Sequence, residues 1–320
     1  MTHADQTARD DAMPTVEDVV AAVPGWAGRS VDHELLKGGL SHRIHIVRVD
    51  GSAFVLRVLN RDVEKALLGI PAAQEIENTA RAAESGVGAR VHEVLPDLPA
   101  IVLELIEGET MSLETVRAER NVPRVAAACR MLHERTPAFG NRFDIFRQLD
   151  GLLELCHRHG LRVPDGYEDR LPAIRRLESA LDEHPLALAP CHNDLLAENF
   201  IDTPEGVRII DWQLSGMNDP AFELGDIAAE SDFDPDLAGA LAAAYFGAEL
   251  TPALTARVRL YLLVSNFTWT LWFSVHHGLL SDPGSDFDYW GEAADKWGQA
   301  VRDLDSPELG RLVALVESGA

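Results

Sequence analysis

The chain has 320 residues, of which 46% are hydrophobic and 25% charged, and its formal net charge is −24. This composition is ordinary for a globular protein with room for two lobes. The strong acidity argues against nucleic-acid binding, which needs clustered lysine and arginine, and it opposes docking on anionic membranes. No apolar run is long enough to span a membrane, the N-terminus lacks a secretory signal and the three cysteines are scattered, so the sequence predicts a cytoplasmic protein.

The first hundred residues predict a short helix followed by a β-rich region. Asp50 and Gly51 form a strong hairpin signal between two of the strands. Gly86 follows the one longer helix, as glycine often does at a helix end. The predicted elements are a helix over residues 14–23, strands over 32–37, 42–49 and 53–59, a helix over 72–85, and strands over 90–94 and 100–106.

A two-glycine turn, Gly38-Gly39-Leu40-Ser41-His42, joins the first two strands. Because glycine has no side chain, the backbone N–H groups of such a turn can approach the phosphates of a nucleotide closely. An ordinary turn explains the same residues, so the turn alone does not identify a binding site.

After Gly108 the chain becomes mainly helical. Strands first and helices later are typical of an α+β protein, and we place the boundary between two lobes near residue 107. This predicts an N-terminal extension at 1–25, a nucleotide-binding lobe at 26–107, and a catalytic and acceptor-binding lobe at 108–320. The predicted elements of the last part are helices over 112–135, 145–159 and 168–184, a hairpin over 199–210, and further helices to the C-terminus.

Residues 191–201, Cys-His-Asn-Asp-Leu-Leu-Ala-Glu-Asn-Phe-Ile, have the spacing of a kinase-type catalytic loop. In such a loop a carboxylate, here Asp194, takes the proton of the attacking hydroxyl group, and an asparagine five positions later, here Asn199, holds a metal ion. Asp211 ends an apolar, strand-like run, where a second metal-binding carboxylate is needed. An asparagine and an aspartate together are a plausible protein contribution to a Mg²⁺ site.

Arg57 on the third strand and Glu75 on the following helix occupy two further positions of a two-lobed kinase. There a basic residue reaches the α- and β-phosphates of ATP and a carboxylate holds it. Arginine can replace the usual lysine because guanidinium keeps its charge and pairs with phosphate. Glu77 is an alternative partner, and a solvated strand residue is the alternative interpretation of Arg57. The adenine is predicted to lie at Glu104 to Ile106, held by backbone groups.

These motifs resemble those of the choline/ethanolamine kinases, a branch of the aminoglycoside-phosphotransferase-like, protein-kinase-related fold. The resemblance runs from about residue 30 to about residue 300 and rests on residues 38–41, 54–57, 191–201 and 210–225. It implies an α+β, two-lobed protein-kinase-like fold with a small β-rich N-lobe and a larger, mainly helical C-lobe.

The same resemblance implies roles for individual residues. Asp194 would be the catalytic base, and Asn199 and Asp211 would hold Mg²⁺. Gly39, Ser41, His42 and Arg57 would lie near the phosphates of ATP. Gln213 departs from the pattern, since many relatives have a glutamate there, and this departure bears on metal affinity.

A choline-like acceptor carries a permanent cation that donates no hydrogen bond, and aromatic faces are the natural way to hold it. Trp269 and Trp272 share one helix face by their spacing, and Tyr289 follows. By themselves, aromatic residues at helical spacing more often pack in the core than form a cage around a cation. The resemblance favours an aromatic cage for the acceptor, so we predict that these three residues form its walls. Glu223 and Asp226 are candidates for added Coulomb attraction, with helix N-terminal carboxylates as the alternative.

The combined prediction is an ATP- and Mg²⁺-dependent kinase that phosphorylates an amino alcohol, choline first and ethanolamine second. Two alternatives stay open: an antibiotic kinase acting on a polycationic aminoglycoside, and an inactive nucleotide- or ligand-binding scaffold. The Trp pair counts against the former and the complete set of Asp194, Asn199 and Asp211 against the latter. The acidic surplus fits a cationic acceptor and also a merely solvated surface. The oligomeric state stays open, with a homodimer as one option.

Overall fold

A computed structural model describes residues 14–36, 41–95, 97–280 and 287–320. The fold combines a β-rich N-terminal part with a larger, mainly helical C-terminal part, which confirms the predicted α+β architecture. The first part contains a five-stranded antiparallel sheet with the strand order β1-β2-β3-β5-β4. The strands are β1 (Val31–Leu35), β2 (Arg43–Val49), β3 (Ser52–Val58), β4 (Val91–Leu95) and β5 (Ala100–Glu104).

The hairpin between β2 and β3 has the two-residue turn that the sequence predicts. Asp50 and Gly51 have φ angles of +50° and +87°, in the left-handed region that such turns require. Val49 pairs with Ser52 directly across the turn. The turn therefore fixes the register of β3, and with it the face of the sheet on which Arg57 lies.

The N-terminal helix α1 (Val16–Ala22) is attached to this sheet. Thr15 caps it through reciprocal hydrogen bonds with Asp18. Val19 is fully buried in an apolar cluster that includes Val47 and Leu56 of the sheet. This part of the predicted N-terminal extension is therefore held to the β-rich part by a shared core.

Two helices connect β3 with β4. The sequence analysis does not predict α2 (Arg61–Lys65), which is too short to show a helical period. The bounds of α3 (Ala72–Ser85) are those predicted, and the helix ends at Gly86 with φ +83°. Glu75 on α3 is buried, which is unusual for a carboxylate unless it is paired.

The prediction of one continuous helix over residues 112–135 is wrong. The chain forms α4 (Leu113–Val116), a turn, and then α5 (Val122–Arg135). Pro123 lies in the first turn of α5, where its missing N–H is tolerated, whereas within a continuous helix it would break a backbone hydrogen bond. The same holds for the helix predicted over 168–184, where a 3₁₀ turn precedes α7 and Pro172 lies in its first turn. The bounds are α6 (Ile145–His159) and α7 (Leu171–Glu183).

Two small sheets hold the predicted catalytic segments in place. One has the order β6-β8-β9, with β6 (Glu109–Thr110), β8 (Phe200–Thr203) and β9 (Gly206–Ile209). The other pairs β7 (Ala189–Cys191) with β10 (Gly216–Asn218). Residues 192–199 connect β7 to β8, and residues 210–215 connect β9 to β10. Both segments therefore run between the same two small sheets, as two neighbouring loops. The predicted lobe boundary at residue 107 lies between the end of β5 and β6, which already pairs with the C-terminal part.

The remaining helices enclose the large core. They are α8 (Pro220–Glu230), α9 (Pro235–Phe246), α10 (Pro252–Val275), α11 (Tyr289–Leu304) and α12 (Leu309–Ser318). Asp219, Asp234 and Thr251 cap the first three, each followed by proline. α10 is buried along most of its 24 residues and continues into a π-helical turn over 276–280. No helix of the described residues is long and apolar enough to cross a membrane, and the three cysteines are buried free thiols.

Candidate active site

The catalytic loop, residues 192–199 between β7 and β8, is anchored by Glu223 of α8. The backbone N–H of His192 donates to Glu223 Oε1 at 2.9 Å and that of Asn193 donates to Oε2 at 2.7 Å. His133 Nε2 lies 3.3 Å from Oε1. Burial alone would raise the pKa of Glu223, but these partners, His133 foremost, bring it below its ordinary value. With both oxygens occupied in the interior, the arrangement favours a loop-positioning role for Glu223 over the predicted contact with the acceptor.

Asp226, one turn further along α8, links the catalytic loop to α10. Its Oδ2 accepts the backbone N–H of Leu195 at 3.1 Å. Its Oδ1 accepts the Ser265 hydroxyl at 2.5 Å and the Trp269 indole N–H at 2.7 Å. Burial and the neighbouring Glu230 carboxylate raise the pKa of Asp226 to about 7, although Ser265 and Trp269 donate to it. One carboxylate thus joins the backbone next to Asp194 with the helix that carries the predicted acceptor residues.

Asp194 projects from the loop into a strongly acidic environment. Burial, together with the carboxylates of Asp226, Glu230 and Asp211, raises the pKa of Asp194 well above its ordinary value, and Lys296 partly opposes this. A carboxylate with a raised pKa is a stronger base, which suits the abstraction of a proton from a hydroxyl group. The same negative charge attracts a cation to this side of the cleft.

The predicted metal ligands Asn199 and Asp211 are neighbours. The backbone N–H of Ile210, which precedes Asp211, donates to the Asn199 carbonyl at 3.0 Å. The Asn199 Nδ2 donates to the Asp194 carbonyl at 2.8 Å, which leaves the side-chain oxygen facing away from that bond. Asp211 adopts a left-handed φ of +71°, a rare conformation for this residue type. One amide oxygen and one carboxylate on adjacent segments fit the oxygen ligands that Mg²⁺ prefers.

Arg57 connects the two parts of the molecule at this point. Its Nη2 lies 2.8 Å from Glu75 Oε1 and 2.7 Å from Asp211 Oδ1. Glu75 is therefore the partner of Arg57, while the alternative, Glu77, pairs with Arg81. Burial alone would raise the pKa of Asp211, but the charge of Arg57 outweighs it and lowers that pKa below its ordinary value.

His42 completes this cluster. The backbone N–H of Asn60 donates to His42 Nδ1 at 3.0 Å, so Nδ1 is the unprotonated nitrogen. Nε2 then carries the hydrogen and donates it to Glu75 Oε2 at 3.2 Å. Ser41, next to it, accepts a hydrogen bond from the Gln213 Nε2 at 3.1 Å. Ser41 and His42 thus lie beside Arg57 and Asp211, whereas Gly39 falls outside the described residues.

Comparison with known proteins identifies the family to which this site belongs. A model of the phosphotransferase enzyme family matches residues 32–261. A solved structure of a choline/ethanolamine kinase family protein from Mesorhizobium loti is 32% identical, with a TM-score of 0.80, and covers 99% of this chain and 100% of its own. The chain belongs to the phosphotransferase family. The predicted resemblance is thereby confirmed, and with it the prediction of a small-molecule kinase.

Two other relatives extend the comparison. The protein LicA of Haemophilus influenzae is 27% identical over 254 residues, which are 75% of this chain and 73% of that protein. A thiamine kinase of Escherichia coli O157:H7 (strain EC4115 / EHEC) is 36% identical over 133 residues, 41% of this chain and 44% of that protein.

On the acceptor side, the phosphotransferase separates the predicted aromatic residues. Trp269 is only 3% exposed, and its indole N–H is bonded to Asp226 in the main core. Trp272 is half-buried, with its ring centroid 5.2 Å from that of His276. Tyr289 also stacks on His276, with ring centroids 4.1 Å apart. Trp272 and Tyr289 therefore share His276 as a neighbour, while Trp269 is connected to the catalytic loop through Asp226.

The predicted adenine-binding segment, Glu104 to Ile106, borders a cavity of about 690 Å³. Phe54 of β3 lines this cavity, and because alternate residues of a strand face opposite sides, Arg57 lies on the other face of the sheet. The Glu104 side chain is turned to the cavity side, where it accepts the Arg90 backbone N–H at 3.0 Å. An adenine connected to phosphates at Arg57 is thus expected on the opposite face, near Val55, and its contact with this segment stays a prediction.

Proposed function

We propose that this phosphotransferase is an ATP-dependent kinase that phosphorylates the hydroxyl group of a small cationic alcohol, choline first and ethanolamine second. One observation carries the proposal: Asp226 holds the backbone next to the candidate base Asp194, and its carboxylate, with those of Glu230 and Asp211, raises the pKa of that base. A cationic alcohol fits this site in two ways: the carboxylates attract its positive charge, and Asp194 can accept the proton of its hydroxyl group. The names of the Mesorhizobium loti relative, a choline/ethanolamine kinase family protein, and of the thiamine kinase point to acceptors of this kind.

In the proposed reaction, Asp194 accepts the proton of the acceptor hydroxyl as its oxygen attacks the γ-phosphorus, while the bond from that phosphorus to the β–γ bridging oxygen breaks and ADP leaves. Asn199 and Asp211 would hold Mg²⁺, which when bound neutralises charge on the phosphates. Arg57, held by Glu75, lies beside Asp211 and can pair with phosphate oxygens from there. Glu223 and Asp226 keep the backbone on both sides of Asp194 fixed, so that the base needs no rearrangement.

Thiamine is a second candidate acceptor, favoured by the relative that is 36% identical over 133 residues. It is also a cationic primary alcohol, so the same acidic environment of Asp194 suits it. The larger ring system of thiamine would need more space beside Trp272 and Tyr289 than choline does. Relative turnover of the two alcohols therefore measures the size of the acceptor pocket.

The first test is ADP formation with Mg²⁺ and ATP against choline, ethanolamine, thiamine and an aminoglycoside, with Asp194→Ala as the blank. We expect the highest kcat/KM for choline and no turnover in the blank. Turnover on the aminoglycoside alone would contradict a small cationic alcohol and favour an antibiotic kinase. No turnover on any acceptor, with ATP bound, would favour an inactive scaffold.

A pair of matched compounds separates the cation from the hydroxyl group. 3,3-Dimethyl-1-butanol has the shape of choline without its charge, and we expect its KM to be about tenfold or more above that of choline. Tetramethylammonium has the charge without the hydroxyl group, and we expect it to inhibit competitively with choline. Equal KM values for choline and the neutral alcohol would exclude recognition of the cation.

A further inference from the structure

The side chain of Gln213 lies between Ser41 and the segment that precedes α3. It is buried, with 5% exposure. Its Nε2 donates one hydrogen bond to the Leu68 carbonyl at 2.5 Å and another to the Ser41 hydroxyl at 3.1 Å. Both hydrogens of the amide nitrogen are thus used, one on Leu68 and one on Ser41.

The orientation of this amide is determined by its partners. The Leu68 carbonyl can only accept, so the NH₂ group of Gln213, and not its oxygen, must face it. The same NH₂ group then donates to Ser41, whose hydroxyl oxygen is the acceptor. The hydroxyl hydrogen of Ser41 is consequently directed away from Gln213 and is available to another acceptor.

The segment around Leu68 is shaped to receive this side chain. The backbone N–H of Ile70 donates to the backbone carbonyl of Gln213 at 2.9 Å, which holds the two segments side by side. A Cβ atom on Gly69 would lie 2.8 Å from Gln213 Cγ and 2.9 Å from Val63 Cγ1, closer than real Cβ contacts allow. Glycine at position 69 therefore leaves the space that the side chain of Gln213 occupies.

We propose that Gln213 is a positioning residue that ties Ser41 to the C-terminal part and directs the Ser41 hydroxyl hydrogen towards the nucleotide phosphates. The inference rests on the proposed function, in that the phosphates of ATP are expected beside Ser41. A carboxylate at position 213 could donate to neither partner: it would take the hydrogen of Ser41 for itself and face the Leu68 carbonyl with a second acceptor. The amide is the group that both contacts require, which gives a physical reason for glutamine here.

The test is a double-mutant cycle with Ser41→Ala, Gln213→Met and the double variant, read as the affinity for Mg²⁺–ATP by calorimetry without acceptor. We expect each single change to weaken ATP binding about threefold to tenfold, the effect of one hydrogen bond. The double variant should be about as weak as either single one, because the two residues act through one contact. In turnover, KM for ATP should rise while kcat and KM for the acceptor stay close to wild type.

Three further variants make the result specific. Gln299→Met, which removes a half-buried amide bonded to Asp232, is the matched control and should bind ATP like wild type. Gly69→Ala displaces the amide of Gln213 without removing it, so it should weaken ATP binding even if Gln213→Met folds poorly. Gln213→Glu should bind ATP more weakly than Gln213→Met at neutral pH. The ATP affinity of Gln213→Glu should recover as the pH falls, because the introduced carboxyl group then takes up a proton that it can donate.

Additive losses in the double variant, or wild-type ATP affinity in Gln213→Met and Gly69→Ala, would overturn the proposal. These binding measurements need no acceptor, so they are separate from the test of the proposed function. Failure of every acceptor with an intact cycle would refute the kinase reaction and leave the role of Gln213 standing. Turnover on choline together with additive losses in the cycle would support the kinase reaction and refute the role of Gln213.

Discussion

The two sides of the cleft are held together by different kinds of interaction. On the nucleotide side, Arg57 pairs with Glu75 and Asp211, and each charged group has a definite partner. On the acceptor side, Trp269 and Trp272 lie on a helix that is buried along most of its length, among other aromatic rings. A buried charged side chain needs an oppositely charged or hydrogen-bonding partner, so residue type and spacing predict its position well. An aromatic ring packs equally well in the core or against a ligand, so its spacing in the sequence does not tell which of the two it contacts.

Asp226 is where α10, the helix that carries Trp269 and Trp272, meets the catalytic loop. It binds the loop backbone beside Asp194 with one oxygen and Ser265 and Trp269 with the other. A change on the acceptor helix can therefore reach the base without touching the nucleotide side. Independent measurement of the ATP and acceptor parameters separates the nucleotide side from the acceptor side.

The largest effect is expected at the base. Asp194→Asn keeps the shape of the side chain but removes its basicity, so kcat should fall by roughly 10²- to 10⁴-fold. The affinity for ATP should change little. Asp236→Asn on the surface of α9 is the control and should leave kcat unchanged. A kcat loss below about threefold would mean that Asp194 is not the base.

The next effect tests the charged side. Arg57→Ala leaves Glu75 and Asp211 without their cation in a largely buried place, and we expect the free energy of unfolding to fall by about 3 kcal/mol. Arg57→Lys should lose less, since the charge remains. Urea unfolding measures both, and ATP affinity should weaken in parallel. Arg29→Ala, which breaks the exposed pair with Asp50, should cost below about 1 kcal/mol. Equal losses for Arg57→Ala and Arg29→Ala would contradict the central role of this cluster.

A smaller effect tests the aromatic side. Trp272→Ala removes one aromatic face, so KM for choline should rise about twofold to thirtyfold while KM for ATP stays constant. The neutral alcohol 3,3-dimethyl-1-butanol should lose much less, because it packs on the ring without the electrostatic attraction that a cation gains from it. If both alcohols lose affinity equally, Trp272 contributes packing alone, and the core alternative is the correct one for this residue.

The sequence predicted most elements whose signals are local. The Asp50-Gly51 turn, α3 with its glycine end and α6 between its cap and Gly160 are found where expected. The helix over 112–135 failed because Pro123 was not recognised as a helix start. α2, with five residues, is too short to have a period.

In the candidate site, too, local features are predicted from the sequence and long-range contacts are not. The spacing of Asp194 and Asn199 could be read because both belong to one loop. The contact between Gln213 and Ser41 spans 172 positions and leaves no periodic pattern in the chain. The bonds of Glu223 to the loop backbone were also missed, since a carboxylate in the first turn of a helix already has a local explanation. Long-range hydrogen bonds of this kind are decided by packing, which the sequence alone does not display.

The smallest effect concerns Asp226, whose pKa of about 7 lies above that of an unfolded aspartate, about 3.9. Between these values the folded state holds a proton that the unfolded state lacks, so this group's contribution to stability falls as pH rises from about 4 to about 7. Asp226→Asn stays neutral, and its cost from imperfect hydrogen bonds is the same at every pH. The difference in Tm, variant minus wild type, should therefore increase from about pH 5 to about pH 8. Asp236→Asn should show no such trend. A difference that stays flat, or decreases with pH, would mean that the bonds from Leu195, Ser265 and Trp269 keep Asp226 ionised, and that the link between α10 and the catalytic loop is carried by a charged group throughout.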